Sequence, residues 1–159
     1  MKWLTAKALY GVHGQRSCDL ERLLIAIVAS ILFASAGVSS ASAQEGFRSP
    51  TGNIHCQFFA IDSDAVIRCD LRQVSNRSLP RPRNCDLEWG QAFEISGRAT
   101  RGTPLCYGDT VQDNRLPVLP YGQHWQRGGL TCISEQSGVT CRNPRGHGFT
   151  LSRAKQSVF

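Results

Sequence analysis

The sequence predicts a mainly β protein, a small antiparallel sandwich or partly open barrel stabilised by disulfides. Three observations point there. Apolar and polar residues alternate with period two over short runs, as on half-buried strands, and helical periodicity is scarce. Turn formers recur at close intervals, with 15 Gly and 7 Pro in 159 residues. Six of the 7 cysteines follow residue 43, an even number that suits a disulfide framework in a small exported domain.

The N-terminal stretch stands apart from the fold. Leu23 to Val38 is an apolar run preceded by Lys2, Lys7, Arg16 and Arg22 and followed by Ala41-Ser42-Ala43, which places small residues where a signal peptidase acts. This predicts a signal peptide over residues 1–43, cleaved after Ala43. The run is short for a membrane span. Cys18 lies in this leader and does not directly follow the apolar run, as a lipoprotein cysteine would. Residues 44–159, 116 in all, then form a single disulfide-stabilised β domain with no transmembrane segment, expected in the periplasm or outside the cell.

That domain carries 14 basic and 10 acidic residues, and its only lysine is Lys155. A net charge of +4 is too mild to argue for nucleic acid. Arginine is the better planar partner for carboxylate or phosphate, though a GC-rich genome also favours Arg codons.

The elements follow in order. Phe47-Arg48-Ser49 leads into a turn at Pro50-Thr51-Gly52-Asn53. Asn53 to Leu71 reads as a hairpin closed by its own disulfide. Setting Cys56 opposite Cys69 pairs Phe58 with Ile67 and Ala60 with Ala65 on one apolar face. The other face is mixed: His55, Gln57 and Phe59 against Val66, Arg68 and Asp70. Ile61 to Asp64 is the expected loop. Arg72 to Asn84, with two prolines and four arginines, reads as a basic surface loop. Gln91 to Ser96 is a strand, with Trp89 capping the core beside it. Arg98 to Pro104 turns, and Leu105-Cys106-Tyr107 returns. Gly108 to Gly129 is rich in turn formers, with a short edge strand over Pro117 to Leu119 and with His124 and Trp125 in its final loop.

Leu130 to Asn143 repeats the opening theme. Cys132 opposite Cys141 pairs Ile133 with Thr140, Ser134 with Val139 and Glu135 with Gly138, leaving Gln136-Ser137 as a tight turn. The echo between the two hairpins hints at an internal duplication. Gly146 to Leu151 reads as a turn into a last strand, and Ser152 as the cap of a short terminal helix over Arg153 to Val158. With two local pairs assigned, Cys85 and Cys106 remain to join each other, although six cysteines allow about 15 pairings in principle.

Several pieces resemble a family of small exported bacterial proteins labelled only as a domain of unknown function. They are Phe47 to Cys56 (FRSPTGNIHC), Arg68-Cys69-Asp70, Cys106 to Thr110 (CYGDT), Leu119 to Gly122 (LPYG), Gly138 to Cys141 (GVTC) and Gly146 to Phe149 (GHGF). The resemblance implies an exported, cystine-containing domain and brings no activity, substrate or catalytic residue.

Site chemistry is sparse. The domain has three histidines, His55, His124 and His147, without the close spacing of a chelate, so no metal or cofactor is implied. There is no G-x-S-x-G elbow, and oxidised cysteines offer no thiol nucleophile. Tyr107, Asp109, Tyr121, His124, Trp125 and His147, on or beside Gly- and Pro-rich loops, form the candidate binding surface. The expectation is a non-catalytic binding or structural module of the cell envelope or exterior, meeting an envelope protein, a glycan or another anionic surface. A small secreted hydrolase using His and Asp is the alternative.

Overall fold

In the computed structural model, which describes residues 45–159, two five-stranded antiparallel meanders pack face to face. The first comprises β1 (Gly46–Arg48), β2 (Ile54–Ile61), β3 (Asp64–Leu71), β4 (Glu88–Ser96) and β5 (Thr103–Tyr107). The second comprises β6 (His124–Arg127), β7 (Leu130–Glu135), β8 (Gly138–Arg142), β9 (Gly148–Leu151) and β10 (Gln156–Val158). The fold is a sandwich rather than a closed barrel. The predicted leader lies outside the described residues, among which no helix is long and apolar enough to cross a membrane.

The opening hairpin has the register that its cysteines and apolar face require: Cys56 lies opposite Cys69, Phe58 opposite Ile67 and Ala60 opposite Ala65. The loop is tighter than expected, because Ile61 and Asp64 also pair. Only Asp62 and Ser63 turn, with φ of 46° and 64°. Positive φ at both central positions is the type I′ geometry, whose twist matches that of the flanking strands. The second hairpin likewise pairs Cys132 with Cys141 around Gln136-Ser137.

Three disulfides join Cys56 to Cys69, Cys85 to Cys106 and Cys132 to Cys141. The first and third are wholly buried, and they meet across the sandwich, with Cys69 Sγ 3.9 Å from Cys141 Sγ. They form the centre of a shared core with Phe47, Ile67, Phe93, Trp125, Leu130 and Phe149. The rings of Phe47 and Trp125, and of Phe93 and Phe149, face each other at 5.7 and 6.3 Å.

The strand registers reveal how closely the halves correspond. Across the first sheet, Phe47, Cys56, Cys69, Phe93 and Pro104 lie side by side on β1 to β5. Across the second, Trp125, Cys132, Cys141, Phe149 and Val158 lie side by side on β6 to β10. Each half is thus a meander with an aromatic on its first strand, a cystine joining the second and third, and a phenylalanine on the fourth. The two halves differ mainly in the β3–β4 connection, residues 72–87, whose counterpart between β8 and β9 is the short turn 143–147.

Several expectations need correction. Phe47 and Arg48 belong to a strand, β1, paired with β2. His124 and Trp125 lie on β6, not in a loop, because they pair with Ile133 and Cys132. Pro117 to Leu119 contributes only a single parallel bridge, Val118 to Arg48. The predicted strand at Gln91 starts earlier, at Glu88, and carries a bulge between Trp89 and Phe93. The basic loop after Arg72 is not uniformly solvated: Val74 and Leu79 pack on the core, and Arg81 donates to the carbonyls of Cys85 and Leu87. The terminal helix is absent. Ser152 Oγ does accept from the Lys155 amide, as a helix cap would, but the bond closes a turn. The chain then doubles back as β10, pairing Gln156 with Leu151 and Val158 with Phe149.

Candidate functional site

Two polar assemblies stand out, one on the outer face of the first sheet and one at an end of the sandwich. The first grows from the mixed face of the opening hairpin. His55 and Asp70 sit side by side on β2 and β3, and both are buried, although they point away from the core. The cover is the connection between the halves. Asp70 accepts a bidentate pair from Arg68, at 2.9 and 3.1 Å, and further bonds from Thr110 Oγ1 and the Val111 amide, both 3.0 Å. Arg68 reaches onward to the carboxylate and carbonyl of Asp109 at 2.9 and 2.8 Å. Gln57 Nε2 donates to the Val111 carbonyl. Four hydrogen bonds from three residues thus satisfy a carboxylate that solvent does not reach.

His55 works the same way. Its Nε2 lies 3.0 Å from the Gly52 carbonyl, and its Nδ1 lies 3.1 Å from the Asp113 carbonyl and 3.2 Å from the Asp113 amide nitrogen. Both ring nitrogens are thus committed to backbone groups. This assembly is a strap: residues 109–113 are held flat against the first sheet.

Asp109 belongs to the strap, and Tyr107, the last residue of β5, lies just before it. The Arg68 guanidinium lies 5.5 Å from the centre of the Tyr107 ring. Burial, and then the charge of Asp70, push the Tyr107 hydroxyl above the usual phenol range. The hydrogen bond from Arg68, followed by its charge, holds the Asp109 carboxyl below the usual carboxylate range. At the far end of the strap, Arg115 donates to both oxygens of Asp113 and holds its pKa at about 2. A lowered carboxylate pKa means that this contact is complete above the ordinary value near 3.8 and is lost as the pH falls through about 2. A carboxyl-carbon NMR titration is expected to place the Asp113 midpoint near 2, and Arg115→Ala to return it toward 3.8. An unchanged midpoint in the variant would remove Arg115 as the cause.

The second assembly is a cleft of about 430 Å³ built from turns, connections and strand ends. The β1–β2 turn, Ser49 to Asn53, forms one wall with Arg72 and Gln73 beyond β3. The β7–β8 turn, Glu135 to Gly138, and Ser152-Arg153 of the β9–β10 turn supply the opposite half's share, and Tyr121 enters from the connection. The floor is stiff. Ser49 Oγ accepts the Ile54 amide, the Gly52 amide donates to the Ser49 carbonyl, and Asn53 exchanges two bonds with the backbone of Gln73. The Tyr121-Gly122 turn is anchored by the Gly122 amide on the Ser134 carbonyl, and Gly122 takes φ of 79°, a conformation that favours glycine. Among the described residues, neither Arg72 nor Arg153 has an ion-pair partner. Both are exposed, as is Tyr121.

The six candidate surface residues are therefore dispersed. Tyr107 and Asp109 serve the strap, and Tyr121 faces the cleft. His124 is exposed on β6, and His147 sits in the β8–β9 turn with its amide bonded to Asn143 Oδ1. Trp125 is a core residue, 5% exposed between Phe47 and Phe58, because the inward face of β6 falls to it. The cleft residues Arg72, Glu135, Gln136 and Arg153 were not foreseen as a group. Arg72 stood in the Arg-rich loop, which was the one available signal. Among the described residues, Cys56, Cys69 and Cys141 bring three ligand-type atoms close together, but these sulfurs are already in disulfides.

A family described as a family of unknown function (DUF6636) matches residues 26–159. No curated protein and no solved structure matches the chain.

Proposed function

Because the chain belongs to that family of unknown function, DUF6636, its role rests on its own residues, and we propose that it is a non-catalytic binding domain that takes a small polar ligand in the cleft at the end of the sandwich. Three disulfides fit an oxidising compartment, so the setting of this proposal is the cell envelope or exterior. One observation carries the reading. Two arginines without ion-pair partners and one exposed tyrosine converge on a stiff cleft to which both halves contribute. Its volume falls within the range of small-molecule sites, about 300–1,000 Å³. Its walls combine hydroxyls, amides and charges with the apolar surface of Ile54 and Tyr121, which suits a ligand with both polar and apolar faces. A His/Asp hydrolase draws no support from the arrangement, since no histidine lines the cleft and His55 is committed to backbone.

The test is an NMR screen of the disulfide-intact protein against a panel of small polar compounds. Ligands are expected to shift the amides of Gly52, Asn53, Tyr121 and Ser137 together. Arg153→Glu is expected to weaken binding by about tenfold or more, the scale of one lost charge-assisted hydrogen bond, with an unchanged melting midpoint. Shifts confined to other surfaces, or full affinity in the variant, would overturn the proposal.

A further inference from the structure

We infer that the ligand of this cleft is a carboxylate-bearing saccharide, an inference that rests on the cleft being a binding site at all. The lining divides into three kinds of group. Arg72 and Arg153 supply planar guanidinium forks, which pair bidentately with an oxyanion such as a carboxylate or a phosphate. Thr51, Gln73, Gln136 and Ser137 supply hydroxyls and amides, the donor–acceptor groups that exchange hydrogen bonds with sugar hydroxyls. Tyr121 supplies one exposed aromatic face, on which the apolar C–H side of a sugar ring can rest.

Competing classes fit less well. A phosphate site is usually built from convergent backbone N–H groups. Here three lining amides are already spent, Gly52 N on the Ser49 carbonyl, Asn53 N on Thr51 Oγ1 and Ile54 N on Ser49 Oγ, and the neighbouring Gly122 N is bonded to the Ser134 carbonyl. An acidic peptide would bind most readily by adding a strand to a sheet edge. The cleft is lined by turns and strand ends instead, and its one exposed large apolar side chain is Tyr121, so it lacks pockets for apolar peptide side chains. Glu135 on the rim opposes the arginines and leaves a net single positive charge, enough for one carboxylate.

The experiment titrates the disulfide-intact protein, at low ionic strength, with a uronic-acid disaccharide, its neutral parent disaccharide, inorganic phosphate and an acidic tetrapeptide. The uronate is expected to shift the amides of Asn53, Tyr121 and Ser137 and to bind about tenfold or more tightly than its neutral parent, an advantage that shrinks with added salt. Tyr121→Ala is expected to lower affinity for both sugars. Arg72→Gln and Arg153→Gln are expected to abolish only the preference for the acid. Equal affinity for the neutral sugar would overturn the carboxylate part. Stronger binding of phosphate or peptide at the same amides would overturn the saccharide assignment and leave the binding site standing. Absence of shifts at these amides with every probe overturns the saccharide assignment; the broader panel above then decides whether the site itself stands.

Discussion

Asp70→Asn is expected to lower the unfolding free energy by about 3–5 kcal/mol, the range for removing one partner of a buried ion pair. Asp70 is 1% exposed and accepts from Arg68 twice, from Thr110 and from the Val111 amide. The amide that replaces it keeps the shape but carries no charge for Arg68, and its N–H₂ group faces donors wherever it turns. Arg68, whose side chain is 13% exposed, would then retain only Asp109 as an ion-pair partner. Urea denaturation of the oxidised protein measures the effect. Asp109→Asn is the matched control: its side chain is 84% exposed, and little change in midpoint is expected. Equal losses in the two variants would mean that the strap does not depend on the buried carboxylate.

The double substitution Cys56→Ala/Cys69→Ala is expected to cost about 3–5 kcal/mol. Closing a loop of this length contributes about 3 kcal/mol through the unfolded chain, and the emptied sulfur positions add a cavity term. Cys56 and Cys69 are wholly buried, and Cys69 touches the second cystine at Cys141. Cys85→Ala/Cys106→Ala removes a bridge over a longer loop, yet Cys106 is exposed. The buried pair should therefore cost about 1–2 kcal/mol more, by the cavity term alone. If the half-exposed Cys85–Cys106 pair costs as much or more, the contact between the cystines adds nothing to the core.

Much of the fold was legible because its decisive contacts are local. Cys56 and Cys69 are 13 residues apart, and Cys132 and Cys141 are 9 apart. Over such distances, period-two alternation allows one register that buries both the cysteines and the apolar side chains. The hint of duplication was legible from the same two hairpins. Its full extent was not, because the matching aromatics, Phe47 with Trp125 and Phe93 with Phe149, sit at unequal distances from their cysteines along the chain.

The errors have a common source. Ser152 with its hydroxyl bonded three residues on is locally the same whether a helix or a turn follows, and the waiting edge of β9 decided for a strand. Trp125 stood among turn formers, but β7 offered a partner whose inward face lies at Cys132. His55 and Asp70 alternate with core residues and so belong outside by period, and only the return of residues 109–113 buries them.

The sequence by itself therefore determined the two hairpins, their tight turns and their cystines, since each follows from side-chain alternation and short loop closure. Tertiary structure decided which polar residues are buried and which line a cleft. Arg72, Tyr121 and Arg153 lie on three separate connections and Glu135 at the end of β7, and only the packing of the two sheets brings them together. No local pattern encodes that meeting, because it depends on contacts between segments whose separation along the chain sets no register.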